Sequence, residues 1–224
     1  MPIVLARYPI VYHATPKVAC TSIKLALYEL EHGKQFEPHR DKSGAVKYIH
    51  ACWQDGTPYF VPASTRRSYF KFAVVRDPIE RFLSAFANRV IYYGELSEKY
   101  LQRLKGELVG LKPNPTLSEF ISDFVRYRAA SWHIRHHTDP QMHFIGKQLS
   151  YYDRIFRFAE LAKIPDALHA AVGARITLPH EQSGGPRISV SELRVDERRR
   201  ISEFYADDYR LLADFYYPSC ERLI

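Results

Sequence analysis

The sequence predicts an α/β fold with a mainly parallel central sheet flanked by helices, in one domain spanning residues 1–224. Three observations carry that prediction. Apolar, β-branched runs at residues 8–13, 70–75 and 154–158 have the length and composition of buried strands. The first two run into a stretch with helical periodicity, and the third leads into helical turns. Strands alternating with helices imply a parallel sheet.

Residues 8–13 form the first strand and 21–32 the first helix, in which Ile23, Ala26, Leu27 and Leu30 fall at i, i+3, i+4 and i+7. Gly33 supplies the stop. Residues 34–46 are polar and read as a loop. Lys47 to Trp53 reads as a short strand, and Gly56, Pro58 and Pro62 break the segment after it. The strand at 70–75 runs into a helix from 78 to about 91, for which Asp77 is a good N-cap and Pro78 suits the first position. Glu80 completes a capping-box arrangement. A helical pattern from about 97 to 108 ends at Gly110-Leu111-Lys112-Pro113-Asn114-Pro115, the best candidate for a mobile segment. Thr116 with Glu119 makes a capping box for a helix to about Arg128. Ser131 to Pro140 is the most cationic and aromatic stretch. The strand at 154–158 leads into helical turns ending at Gly173, residues 179–187 are loop by composition, and two helices close the chain near 191–205 and 207–216.

Composition narrows the function. A chain of 224 residues buries a substantial core without staples. No run reaches the ~18 apolar residues that a membrane span needs. The segment Met1 to Arg7 is too short and too soon interrupted for a signal peptide. Three cysteines, Cys20, Cys52 and Cys220, are an odd and widely spaced set, against a disulfide framework or a zinc site. The formal net charge is +7, with the basic residues scattered and no nucleic-acid module among them. A polyanionic small ligand, with an acidic glycan as second partner, explains that sign as well as a nucleic acid does.

Two stretches carry the chemistry. Between the first strand and helix lies Pro16-Lys17-Val18-Ala19-Cys20-Thr21-Ser22. The free N–H groups of a first helical turn point at an anion, and the helix dipole adds partial positive charge. Lys17 supplies a full charge, and Thr21 and Ser22 supply hydroxyl donors. The spacing departs from the nucleotide-triphosphatase loop, since the lysine precedes the turn and no glycine appears. The second stretch is Arg76-Asp77-Pro78-Ile79-Glu80-Arg81-Phe82-Leu83-Ser84-Ala85-Phe86, which leaves Arg76 at a strand's carboxyl end and Ser84 two turns into the helix. In open α/β sheets ligands bind outside the carboxyl ends of the strands.

Together these stretches resemble the PAPS-dependent sulfotransferases, specifically the carbohydrate branch that includes the chondroitin, dermatan and heparan 2-O-sulfotransferases. PAPS is 3′-phosphoadenosine 5′-phosphosulfate. Pro16 to Ser22 looks like that family's 5′-phosphosulfate loop, and Arg76 to Phe86 like its 3′-phosphate motif. Weaker echoes occur at His137-x-x-Pro140-Gln141, Phe158-x-Glu160-Leu161 and Pro179-His180. The resemblance implies a single P-loop-like domain, PAPS as sulfate donor with 3′,5′-ADP as product, a hydroxyl acceptor on a glycan or glycoside, and no metal. Animal members are Golgi proteins with an N-terminal anchor. A chain beginning almost at its first strand is expected to be a bacterial cytoplasmic enzyme, or a Golgi-lumen one deprived of its anchor.

In that chemistry Lys17 neutralises the charge that develops on the leaving oxygen, against the plainer reading of a solvated lysine. Arg76 and Ser84 grip the 3′-phosphate, for which arginine's planar fork is suited; Arg76 can also pair with Asp77 or Glu80. Arg187, after Gly184-Gly185-Pro186, either wraps the same phosphate or lies in an ordinary surface turn. A general base must take the acceptor proton, and ten histidines compete for the part. His50 lies in the interval where heparan 2-O-sulfotransferases carry theirs, and His13, just upstream of the loop, is the next choice. His133, His136 and His137 have metal-compatible spacing but no carboxylate or cysteine partner, and a cationic patch toward the acceptor suits them better. Phe158 and Glu160 are family-based candidates for the adenine. Two other classes fit part of the pattern: a P-loop kinase of a small molecule, and a non-catalytic polyanion-binding protein.

Overall fold

A computed structural model of the chain describes residues 2–53, 68–102, 110–179 and 184–218. The chain forms two compact units, each made of two segments: Met1–Val75 with Phe144–Glu181, and Arg76–His143 with Gln182–Ile224.

The first unit holds a four-stranded sheet in the order β1 (Pro2–Val4), β2 (Ile10–His13), β5 (Phe70–Val75), β6 (Arg154–Arg157). β2 pairs parallel with β5, from Ile10↔Phe70 to His13↔Ala73, and β5 pairs parallel with β6, from Phe72↔Arg154 to Val75↔Arg157. The sheet is thus mainly parallel, as the alternation of strands and helices requires. β1 adds an antiparallel edge that its three residues were too few to announce. The core packs Tyr12, Phe72 and Phe156 of the sheet against Ile23, Leu27, Ile164 and Leu168.

Helix α1 (Cys20–His32) buries Ser22, Ile23, Ala26 and Leu27 and ends at Gly33, whose φ of 66° lets its N–H reach the Glu29 carbonyl at 2.8 Å. The expected loop at 34–46 contains most of a small hairpin of β3 (His39–Arg40) and β4 (Val46–Lys47), turned around the Asp41 carboxylate. The strand expected over 47–53 is a correction. Only Lys47 is in a strand, and Ile49–Cys52 forms a helical turn, α2. Ile49 in this turn and Trp53 just after it, four residues apart, are buried, which is the spacing of a helix. After β6 a 3₁₀ turn at Phe158–Lys163 leads into the helix Ile164–Val172, stopped by Gly173.

The second unit is helical. α3 (Pro78–Ala85) starts as expected, with the Asp77 carboxylate accepting from the amides of Ile79 and Glu80 at 2.9 and 3.1 Å. The capping box does not close, because the Glu80 carboxylate turns to Arg76 instead. α3 passes into a π-helix, Phe86–Tyr92, rather than continuing as α. The capping box at Thr116 does form, but its helix (Leu117–Ser122) is interrupted at Asp123 before Phe124–Ala130. The Gly110–Pro115 segment is pinned rather than loose: Tyr127 donates to the Lys112 carbonyl, and the Asn114 N–H to that of Leu96. The closing helices, Val195–Phe204 and Ala206–Leu211, are shorter than expected. Phe82, Phe86, Phe120, Phe124 and Tyr127 form the core. Among the described residues no helix is long and apolar enough to cross a membrane.

Candidate active site

In the first unit the chain leaves β2 at His13 and reaches α1 through a turn in which Lys17 (φ 68°) and Ala19 (φ 63°) both adopt left-handed backbone. Neither is glycine, so each carries a cost of about 1–2 kcal/mol that the turn must need. Left-handed residues in such a turn direct peptide N–H groups to one side, the geometry of an anion nest. The helix end matches. Its N-cap, Ala19, has no side-chain acceptor, and the first turn of α1 contains no acidic residue. Its first N–H groups and dipole are therefore suited to an anion from outside. Thr15 is fully buried beside this turn, and its hydroxyl meets no partner among the described residues.

His50, on α2, reaches this loop. Its Nε2 lies 3.2 Å from Thr21 Oγ1 and its Nδ1 lies 3.2 Å from Lys24 Nζ. The sequence left Lys24 unassigned, because its contact with His50 spans 26 residues and leaves no local signal. Burial holds the Lys24 pKa below that of a free lysine. A charged Lys24 fixes the tautomer of His50, and a neutral one releases that constraint. A charged Lys24 donates to Nδ1, so Nε2 carries the ring proton and donates to Thr21. A neutral Lys24 can accept from Nδ1–H, which leaves Nε2 an unprotonated acceptor. His13, by contrast, sits edge-on to the rings of Tyr151 and Tyr152, at 5.5 and 5.1 Å between centroids. Pro16, Val18 and Cys20 complete the loop, with Val18 in the core and Cys20 a free thiol. Cys220 and His180 lie outside the described residues.

In the second unit Arg76 stands just ahead of the Asp77 cap. Its Nε is 3.3 Å from the Glu80 carboxylate, and Ser84 lies one turn beyond Glu80, so the three share one stripe along α3. The Gly184–Gly185 pair packs against the π-helix that continues α3. A Cβ on Gly185 would sit 2.3 Å from the Ala87 carbonyl oxygen, and Asn88 donates to the Gly184 carbonyl at 3.0 Å. The loop carrying Arg187 is thus docked by backbone contact, with Arg187 itself exposed. The histidine group is engaged elsewhere. His137 contacts Arg89 at 2.7 Å and its Nδ1 faces the His133 carbonyl, while His136 stacks on Trp132. In the first unit, Lys163 together with the amide and guanidinium of Arg157 holds the Glu160 carboxyl down at about 2, so this adenine candidate is committed to its own turn. Phe158 packs against the core.

Comparison with known proteins adds to this geometry. A sequence profile described as "Sulfotransferase family" matches residues 2–217. Carbohydrate sulfotransferase 14 of Mus musculus is 29% identical over 166 residues, covering 69% of this chain and 42% of the relative. Its Homo sapiens counterpart is 30% identical over 130 residues, covering 54% and 32%. Carbohydrate sulfotransferase 11 of Rattus norvegicus is 33% identical over 85 residues, covering 37% and 24%. The matched part is thus less than half the length of these curated relatives. No solved structure matches the chain significantly.

Proposed function

The chain belongs to the sulfotransferase family, and from that premise we propose that it moves the sulfuryl group of PAPS to a hydroxyl of a carbohydrate. The observation that carries the reading is the turn from Pro16 to Ser22: left-handed backbone at two non-glycine residues above a helix end with no cap of its own. Such a turn suits the sulfated 5′-phosphate. Lys17, Thr21 and Ser22 add a charge and two hydroxyls. Arg76 and Ser84 take the 3′-phosphate, with Arg187 as a further cation for it. The names of the relatives support a carbohydrate acceptor, and the net charge of +7 favours an acidic one.

The step is an in-line displacement. The acceptor oxygen forms a bond to sulfur, the bond from sulfur to the 5′-phosphate oxygen breaks, and the acceptor proton passes to a base. Lys17 offsets the negative charge left on the phosphate oxygen. His50 serves as the base in preference to His13, since it is exposed and beside Thr21, while His13 is packed among tyrosines. It needs an unprotonated Nε2, the tautomer that a neutral Lys24 permits. The transferred group carries less charge than a triphosphate tail, so the step as written draws on side chains rather than a metal.

A thermal-shift panel of 3′,5′-ADP, 5′-AMP and ATP with magnesium tests the donor class. Stabilisation that requires the 3′-phosphate is expected. A shift with ATP and magnesium but none with 3′,5′-ADP would overturn the reading in favour of a kinase.

A further inference from the structure

Arg76 is gripped at its backbone by one side chain of the second unit. Gln141 Oε1 accepts from the Arg76 N–H at 3.0 Å, and Gln141 Nε2 donates to the Arg76 carbonyl at 2.8 Å. One carboxamide thus supplies the acceptor and donor that a neighbouring strand's backbone would otherwise provide. The pairing of β5 ends at Val75, one residue short of Arg76, and both backbone groups of Arg76 are met by Gln141.

Gln141 is itself anchored. It is fully buried, and its backbone N–H donates to Asp208 Oδ2 at 2.7 Å, while that of Met142 donates to Oδ1 at 2.9 Å. Asp208 is also fully buried and forms no ion pair among the described residues, and burial pushes its carboxyl pKa up. The next residue, Tyr209, places its hydroxyl 3.3 Å from the Asp77 carboxylate. Two successive residues of one helix therefore hold the Arg76–Asp77 corner, Asp208 through Gln141 and Tyr209 directly. Burying a carboxylate and a carboxamide is costly unless their bonds are kept, so the arrangement resists displacement of residue 76.

We infer that Gln141 and Asp208 are positioning residues that aim the Arg76 guanidinium and so set the preference for a 3′-phosphorylated nucleotide. This rests on the reading that Arg76 takes the 3′-phosphate. A guanidinium at the end of a long side chain magnifies any rotation of its backbone, and two-pronged contact with a phosphate tolerates little misplacement. Neither residue needs to touch the ligand.

The test is Gln141→Glu, read by calorimetry with 3′,5′-ADP and 5′-AMP. An ionised glutamate still accepts from the Arg76 N–H but cannot donate to its carbonyl; protonated, it can do both. Among the described residues the charged or titratable groups tied to this corner include Asp208, Arg76, Asp77 and Tyr209, with Arg81 and His143 acting on Asp208, and the 3′-phosphate titrates as well. The quantity to read is therefore the ratio of variant to wild-type affinity at each pH. Expected is a loss of at least about tenfold for 3′,5′-ADP at pH ~8, with 5′-AMP unchanged, and recovery of the ratio toward one at pH ~5.5. Unchanged selectivity, equal losses for both nucleotides, or a loss without recovery at low pH would overturn the inference. If this variant does not fold, Gln141→Asn keeps both groups one methylene short of Arg76; a loss confined to 3′,5′-ADP supports the inference, and equal loss or none overturns it. Wild-type protein with no preference for 3′,5′-ADP, or an Arg76→Ala variant that keeps the preference, would instead remove the reading on which the inference rests.

Discussion

Replacing Arg76 with alanine separates one phosphate contact from everything else the corner does. The side chain is 20% exposed, so a phosphate oxygen that meets it is largely withdrawn from water. Removing one partner of such a charge pair costs about 2–4 kcal/mol, or about 30- to 700-fold in Kd at 1.4 kcal/mol per decade. The Arg76–Glu80 pair is lost too, but Glu80 is half exposed and such a pair contributes only about 0–1 kcal/mol to folding. The backbone bonds to Gln141 survive the truncation, so the fold should hold. Titration calorimetry is then expected to show the full loss for 3′,5′-ADP, little change for 5′-AMP, and a melting temperature lowered by no more than about 4 °C. Equal weakening of both nucleotides would refute the assignment of this arginine to the 3′-phosphate.

Three further outcomes are expected from other parts of the molecule. Lys17→Ala should cut the single-turnover rate of sulfuryl transfer by about 10²–10³-fold, while 3′,5′-ADP still binds; a rate within threefold of wild type, on the order of experimental scatter, would contradict its role at the leaving oxygen. Gly185→Ala combines a φ of 108° with a Cβ 2.3 Å from the Ala87 carbonyl, so it should destabilise by more than about 2 kcal/mol and lower the melting temperature by about 4–8 °C or more. An unchanged melting curve would contradict the close docking of this loop. Lys24 supplies a pH test. Its folded pKa is depressed by burial, so the folded chain binds fewer protons than the unfolded one as pH rises toward the unfolded value of ~10.4. This contribution to stability therefore rises with pH across that window. Denaturant midpoints at two pH values, on the order of 7 and 9.5, should rise in wild type relative to Lys24→Met; parallel behaviour would contradict the burial of its charge.

The parts legible in the sequence were those with local causes. The helix from Cys20 to His32 announced itself by its apolar spacing and its glycine stop, and the Asp77–Pro78 start by the chemistry of its cap. The parallel sheet followed from the alternation of elements. Other features depend on distant partners. Gln141 and Arg76 are 65 residues apart and Lys24 and His50 are 26 apart, so neither contact leaves a periodic trace. β1 is too short for alternation to show. The stretch from Lys47 to Trp53 misled because one apolar pair four residues apart is too little to tell a helical turn from a strand. At Glu80 a capping box and an ion pair competed for one carboxylate, and the neighbouring guanidinium won. The turn at Pro16–Ser22 showed its residues but not its geometry: nothing in the sequence announces left-handed backbone at Lys17 and Ala19.

The most direct measurement is transfer itself: purified protein, PAPS labelled in its sulfate, and a desulfated acidic polysaccharide, with the label followed into the polysaccharide and the unlabelled 3′,5′-ADP quantified separately. Expected is label on the polysaccharide with release of one equivalent of 3′,5′-ADP, and both slowed by about 10²–10³-fold when Lys17 is alanine. Transfer that proceeds equally well from a donor without the 3′-phosphate, or that stays within about threefold of the wild-type rate without Lys17, would contradict this assignment.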